Sequence, residues 1–330
     1  MASLRQIRRR LRSTQSTKQV MRAMQLVSGS KFKRAQTRLL QGRQALEFLD
    51  GLLQRVLVAE GHPGRTRGTA NTSWRHPLMA RHEGKPGALI IVTSDTGLAG
   101  AYNANLIQFA ESELRRPFGF AQGAVLSVVE GRRDTASPTQ VSYVGKRGHR
   151  YFTKRGSEAR EAYLDLAGRP EIRRIDAIGQ ALMDRFLAGE VSSVRLLYAT
   201  FVSASVSRPT IAQWLPIQLQ GGKGQETRGT GTSSPAPRPP PPAPVLEYLF
   251  EPSPQRVFED LLPRWAIATF RVALLEAFTA EHGARMIAMK NATDNAQELL
   301  ESLTMQRNKI RQASITKELS EIVGTAEALK

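Results

Sequence analysis

The residues best placed to do chemistry are Asp95-Thr96-Gly97-Leu98-Ala99-Gly100, directly after the apolar run GALIIV (87–92). A glycine turn between a strand and a helix exposes backbone amides at the helix start, where a phosphate could bind. This turn lacks the third glycine of a dinucleotide fingerprint, and no glycine-rich loop ending in Gly-Lys-Ser/Thr occurs in the chain. It reads as a tight strand-to-helix turn. The histidines at 62, 76, 82, 149 and 282 show no metal-ligand spacing, and no Ser-His-Asp or paired-carboxylate pattern stands out. The absence of cysteine removes disulfides, thiolate metal sites and thiol switches, and suits a reducing compartment. Sequence alone therefore names no catalytic, cofactor-binding or metal-binding residue, and no cofactor is expected.

Charge is the stronger chemical signal. The chain of 330 residues carries a formal charge of +18. Twelve basic residues and no acid lie before Glu47. Arg8, Arg9, Arg10, Arg12, Lys18, Arg22, Lys31, Lys33 and Arg34 form the candidate basic face. Such a surface expects an acidic partner, whether nucleic acid, anionic membrane or acidic protein. The basic residues are interleaved with apolar ones, and Phe32 and Phe48 are the only aromatics before Trp74. An acidic protein surface is the better reading, with a basic coiled-coil nucleic-acid binder as the alternative. A third reading is an α/β enzyme with a small-ligand site near Gly97 and Gly100, whose helices oligomerise it. No apolar run approaches the ~18 residues of a membrane span, and the amino terminus lacks a secretory signal. The chain is expected to be soluble or held at a membrane by others.

The elements that position these residues are two long helices. Residues 264–330 contain no proline and have apolar residues at helical spacing. Ala292, Ala296, Leu299, Leu303, Ile310 and Ala313, interrupted by Gln306, form a coiled-coil seam that needs a partner helix. At ~1.5 Å per residue the rod is too long to be buried in its own globular core. A second seam, Ile315, Leu319, Ile322, Ala326 and Leu329, is offset by two residues, so the tip is expected to leave that partner. Residues 2–60 read as another helix, with Leu4, Ile7, Leu11, then Val20, Met24, Val27, then Leu39, Leu46, Leu49, Leu53 and Val56 on its stripe and a polar gap from Ser13 to Gln19. The two stripes satisfy each other most simply as an antiparallel pair.

Between the helices, residues 61–220 read as a central lobe. A loop (61–87) precedes a strand, turn and helix (87–114), with further strands at 124–129, 141–145, 194–202 and 210–219 and a helix at 171–188. This implies a small, mostly parallel sheet. Residues 221–244, rich in proline and glycine, read as a flexible or polyproline linker. The segment 245–330 resumes order, with Ser253 as a helix cap and Pro254 at the first helical position. The fold class is α+β: a long antiparallel coiled coil of the terminal helices (1–60 and 245–330) with a central α/β, Rossmann-like lobe.

Six stretches in order resemble the gamma subunits of F-type ATP synthases. IRRRLRSTQSTKQVMRAMQLVSGSKFKRAQ (7–36) resembles the family's amino-terminal signature, and EHGARMIAMKNATDNAQELLESLTMQRNKIRQASITKELSEIVGTAEAL (281–329) its carboxy-terminal one. TSDTGLAGAYNANL (93–106), YVGKRGHRYF (143–152), FVSASVSRPTIAQWLPI (201–217) and FEPSPQRVFEDLLPR (250–264) are similar to its internal landmarks.

The resemblance implies a central rotor shaft and a non-catalytic subunit. The coiled coil would stand inside a ring of three alpha and three beta subunits. The lobe would rest, with the epsilon subunit, on the membrane c ring at the cytoplasmic face of the bacterial inner membrane. By the same resemblance, Met24, Arg285, Arg311, Gln312, Thr316 and Glu318 contact the ring, the basic face meets acidic beta-subunit segments, and the tip turns in an apolar sleeve. Met24 is also read as a seam residue packing on the other helix. Thr96 stands where the family usually has arginine, Ala99 at a position often cysteine, and Gly29 in a run usually rich in alanine. Residues 221–244 stand as an insertion.

Overall fold

The computed structural model describes residues 4–59, 74–80, 82, 84–114, 139–166, 171–218 and 250–328. The expected strand at 124–129 and the linker at 221–244 lie outside the described residues. Ten elements follow in order: α1 (Leu4–Ala59), β1 (Gly87–Val92), α2 (Tyr102–Leu114), β2 (Gln140–Val144), α3 (Lys146–Thr153), β3 (Glu161–Tyr163), α4 (Ile172–Leu187), β4 (Ser193–Phe201), β5 (Ser207–Leu215) and α5 (Pro254–Ala328). A short 3-10 turn, Pro77–Met79, lies within the stretch read as loop.

One sheet runs in the order β3-β2-β1-β4-β5. β1 pairs in parallel with β2 and β4, β2 pairs in parallel with β3, and β5 closes the other edge antiparallel to β4. β1 is buried at all six positions, which is why it reads as a continuous apolar run. Its two faces build two cores. Ala88, Ile90 and Val92 pack with α4, α5 and α1, while Leu89 and Ile91 pack with α2 and α3.

The helix pair is antiparallel. Lys18 bonds Gln297, Gly29 faces Met286 and Gly42 faces Leu275, so each step up α1 matches a step down α5. α1 has 56 residues and α5 has 75, giving rods of ~84 Å and ~112 Å at ~1.5 Å per residue. Leu4 lies opposite about residue 311, and the rest of α5 overhangs by ~25 Å.

α5 differs from the sequence reading in two ways. It begins at Pro254, so Pro263 lies inside it. Phe258, Leu261, Leu262 and Ala266 are buried around that proline, and burial of several such side chains offsets the ~3 kcal/mol an interior proline costs. The Ser253 hydroxyl accepts from the Arg256 amide at 3.3 Å and caps the start. Second, residues 272–283 are buried on every side, enclosed by α1 and the sheet. A helix enclosed on all sides belongs to the core, with its polar residues Glu276, Thr279, Glu281 and His282 buried as well. The expectation that the rod stays outside a globular core therefore fails for this stretch. Arg271 ties it to α4 through two 2.8 Å bonds to Asp176, and Arg43 ties α1 to Glu276 at 2.6 Å.

Candidate docking surface of the helix pair

The seam on α1 alternates three- and four-residue steps without a break. Leu4, Ile7, Leu11, Thr14, Lys18, Met21, Gln25, Ser28, Phe32, Ala35, Leu39, Gly42, Leu46, Leu49, Leu53 and Val56 are all buried or half-buried. The polar gap expected at 13–19 is thus no interruption, because Thr14 and Lys18 occupy seam positions. Val20, Met24 and Val27 were read as seam residues; they face outward instead, with Val20 and Val27 56% and 57% exposed. The reason is continuity. An unbroken helix keeps one phase, and the apolar residues from Ala35 to Val56 fix it. Polar residues are carried inward at 14–28 and an apolar stripe is left outside.

α5 shows the same kind of shift. Met289, Thr293, Ala296, Leu300, Leu303, Arg307 and Ile310 carry its seam, while Leu299 and Ala313 are exposed. The sequence reading followed Leu299, Gln306 and Ala313, one residue out of phase with Leu300 and Arg307. Past Ile310 every described side chain from Arg311 to Thr325 is exposed, including Ile315, Leu319 and Ile322 of the second seam.

Of the basic face, Arg8, Arg9, Arg10, Arg12, Arg22, Lys31, Lys33 and Arg34 are exposed. Lys18 is half-buried in the seam, donating to Gln297. Arg8, Arg12, Lys18 and Arg22 of α1 and Arg307 of α5 line a groove of about 890 Å³ between the helices, with Glu301 its one acid. Met24, Arg311, Gln312, Thr316 and Glu318 are all on the surface.

Arg285 is not. Its side chain is 9% exposed. Nε donates to the Gly97 carbonyl at 3.1 Å, and Nη2 to the Thr96 carbonyl at 3.2 Å and to Glu281 at 2.7 Å. Its guanidinium is engaged by the lobe, away from the surface where a ring contact was expected. Burial pushes the Glu281 carboxyl up to about 7, against the opposing pull of Arg285, and its Oε2 carries no hydrogen bond. Helical spacing could have shown that Glu281 and Arg285 stack at i,i+4, but not that the lobe encloses them.

The turn at 95–100, read as a bare turn, is gripped on three sides. Asp95 accepts from the amides of Lys146 and Asp165, Ser94 bonds Asn103, and Thr93 accepts from the Gly148 amide at 2.9 Å. Gly145 has φ +95, and a Cβ there would lie 2.2 Å from the Thr93 carbonyl, so only glycine joins β2 to α3. The family landmark at 143–152 is therefore a packing device. The third reading, a small-ligand site near Gly97 and Gly100, meets the Arg285 guanidinium already seated on the turn.

Residues 3–329 match the family model described as ATP synthase. The chain is 36% identical over 330 residues to the ATP synthase gamma chain of Anaeromyxobacter sp. (strain K), covering all of both chains. The chain belongs to the ATP synthase gamma-chain family. It is also 36% identical to the gamma chain of Symbiobacterium thermophilum, over 98% of this chain and 97% of that one. Among solved structures, the rotor of the Euglena gracilis mitochondrial ATP synthase matches with a TM-score of 0.58 at 15% identity, over 94% of this chain and 98% of that one. A second structure of that synthase, with its F1 and c-ring parts, matches at 0.59 and 17% identity, over 99% and 94%. At those identities the likeness concerns the fold, and the family assignment rests on the sequence relatives.

Proposed function

We propose that the chain is the central-stalk rotor subunit of an F-type ATP synthase. It couples ion flow through the membrane c ring to ATP synthesis or hydrolysis in a ring of three alpha and three beta subunits. The observation that carries this is the overhang: α5 runs on past α1 with every described side chain from Arg311 to Thr325 exposed. A single helix that leaves Ile315, Leu319 and Ile322 in water gains no packing there and presents an apolar stripe to a partner. It fits inside a sleeve, as the amino-terminal half of α1 fits against an acidic wall.

Met24, Arg311, Gln312, Thr316 and Glu318 are the proposed ring contacts, with the basic face directed at acidic beta-subunit segments. The lobe (61–220) rests with the epsilon subunit on the c ring, and the terminal segments 1–60 and 245–330 make the shaft, with 221–244 as linker. The chain is a non-catalytic subunit of the complex, held peripherally at the cytoplasmic face of the bacterial inner membrane. None of the described helices is long and apolar enough to cross a membrane. Neither the relatives nor the fold supports the nucleic-acid alternative.

Native mass spectrometry of the chain co-expressed with alpha and beta subunits from its own organism tests the reading. One copy of this chain with three of each is expected. A homodimer or a nucleic-acid adduct, with no ring, overturns it.

A further inference from the structure

The sheet order reverses between β1 and β4, and in open α/β sheets the crevice at the carboxyl ends of two such strands is where ligands bind. Here the crevice holds part of the chain itself. From the β1 side the carbonyls of Thr96 and Gly97 accept from Arg285, and Gly100 lies 3.6 Å from Ala288 by its would-be Cβ. From the β4 side the loop at 202–206 comes down on Gly283, where an added Cβ would meet the Ala204 carbonyl at 2.9 Å and Phe32 at 3.3 Å. Phe32 of α1 in turn packs on Phe201 at the end of β4, with ring centroids 5.8 Å apart. Both helices thus pass through one opening.

Its position matters. Below it α5 is buried on every side from 272 to 283; above it, from Lys290 on, the helix is exposed except along its seam. Among the described residues the contacts at 283–288 are therefore the last hold that the lobe has on the shaft. A load applied to the free helix pair concentrates bending and twist at that exit.

We propose that the crevice at the carboxyl ends of β1 and β4 is a collar that clasps the shaft where it leaves the lobe. Arg285 is its positioning residue and Gly283 its point of closest approach, and the collar makes lobe and shaft turn as one body under load. This rests on the rotor reading. The planar guanidinium suits the task because it reaches two carbonyls and a carboxylate in one fixed fork, which a lysine ammonium does not. The Glu281 carboxyl accepts from the guanidinium on its inner side, and Tyr102 adds a second tie from α2 to the Ala277 carbonyl at 3.0 Å.

The test compares two activities of assembled complexes carrying Arg285→Gln, Arg285→Lys and Gly283→Ala. Hydrolysis by the soluble complex of this chain with alpha and beta subunits needs no torque through the lobe. ATP-driven ion pumping by the membrane-bound holoenzyme does. Loss of one charge-assisted hydrogen bond corresponds to roughly a tenfold change in an equilibrium, so pumping is expected to fall about tenfold in Arg285→Gln. In Gly283→Ala the added Cβ forces the Ala204 carbonyl away, and pumping falls as well. Hydrolysis by both variants is expected to stay within about twofold of wild type. In pumping, Arg285→Lys falls between wild type and Arg285→Gln.

Normal pumping in both variants overturns the proposal. So does an equal loss of soluble hydrolysis, which would make Arg285 a ring contact. If the variants do not assemble, hydrogen exchange over 202–206 in the wild-type holoenzyme decides: protection unchanged by ATP turnover supports the collar, and exchange that speeds up during turnover overturns it. Failure of the wild-type chain to join a ring is a different result, and it defeats the rotor reading instead.

Discussion

Two halves of α1 face the same partner in the same heptad phase, yet they are built differently. From Ala35 to Val56 the seam is apolar, with Leu39, Leu53 and Val56 at most 2% exposed in the core that holds Leu274, Leu275 and Phe278. From Thr14 to Ser28 the seam is polar except at Met21, and the apolar side chains Val20, Leu26 and Val27 stand outside. Each fully buried apolar side chain contributes ~1.5–3 kcal/mol, against ~0.5–1.5 for a neutral hydrogen bond. The inner half therefore sets the phase and the outer half follows it. What the outer half loses in self-burial it keeps as surface for another molecule.

The largest expected effect comes from attacking the half that sets the phase. Leu39 on α1 is 1% exposed, in the core that holds Leu274 and Leu275. Leu39→Ala is expected to cost ~2–5 kcal/mol, while Met21→Ala in the half-buried outer seam costs about 1 kcal/mol or less. Urea denaturation of the purified chain measures both. Equal losses would erase the distinction between the halves.

At the boundary between the halves sits Glu281. Its folded carboxyl titrates near 7 instead of its ordinary 4.5, chiefly because it is buried. Between those values the folded state holds a proton that the unfolded state has released, so stability falls as pH rises through the window. Relative to Glu281→Gln, the wild type is expected to lose at most about 3 kcal/mol between pH 4.5 and 7 and to change little above it. Lys31, Asp95 and Arg285 also act on this carboxyl. A wild type that loses stability relative to Glu281→Gln as pH falls would mean that pairing with Arg285 outweighs burial.

A gain is expected where the outer seam is polar. Lys18→Leu with Gln25→Leu places apolar side chains at half-buried seam positions and should stabilise the outer half by about 1 kcal/mol for each. Slower hydrogen exchange over residues 14–28 is the readout. The inner half should not change, because its packing already fixes the register. Destabilisation by the pair would show that the Lys18–Gln297 bond, not the inherited phase, holds this stretch.

These predictions turn on what periodicity can and cannot reveal. Two long helices and a mostly parallel sheet with four of its strands were legible because their apolar repeats are long. The phase at 14–28 was not. Val20, Met24 and Val27 make as good a stripe as Thr14, Lys18, Met21, Gln25 and Ser28, and a better apolar one. Only continuity with Ala35 and beyond decides between them, and that is a property of the whole helix. Leu299 misled for the same reason against Leu300. Arg285 was singled out by family resemblance, but its burial depends on a turn nearly 190 residues away, as in its bond to the Thr96 carbonyl. β3 and α3 escaped notice because three residues and eight residues carry too little pattern.

The smallest effect on stability is expected at Met24, and it separates the halves most cleanly. Its side chain stands at the surface beside Val20 and Val27, so Met24→Lys adds a charge where water already is, and exposed substitutions of this kind stay within ~0.5 kcal/mol. A seam residue would behave otherwise, since a buried unpaired ammonium is strongly destabilising. In the assembled complex the same change puts a cation on the stripe proposed to face the ring, so ion pumping should fall while subunit stoichiometry holds. A destabilisation as large as that of an inner seam residue would return Met24 to the seam and remove the outer stripe as a docking surface. Normal stability with normal pumping would leave the stripe exposed but remove Met24 from the contact.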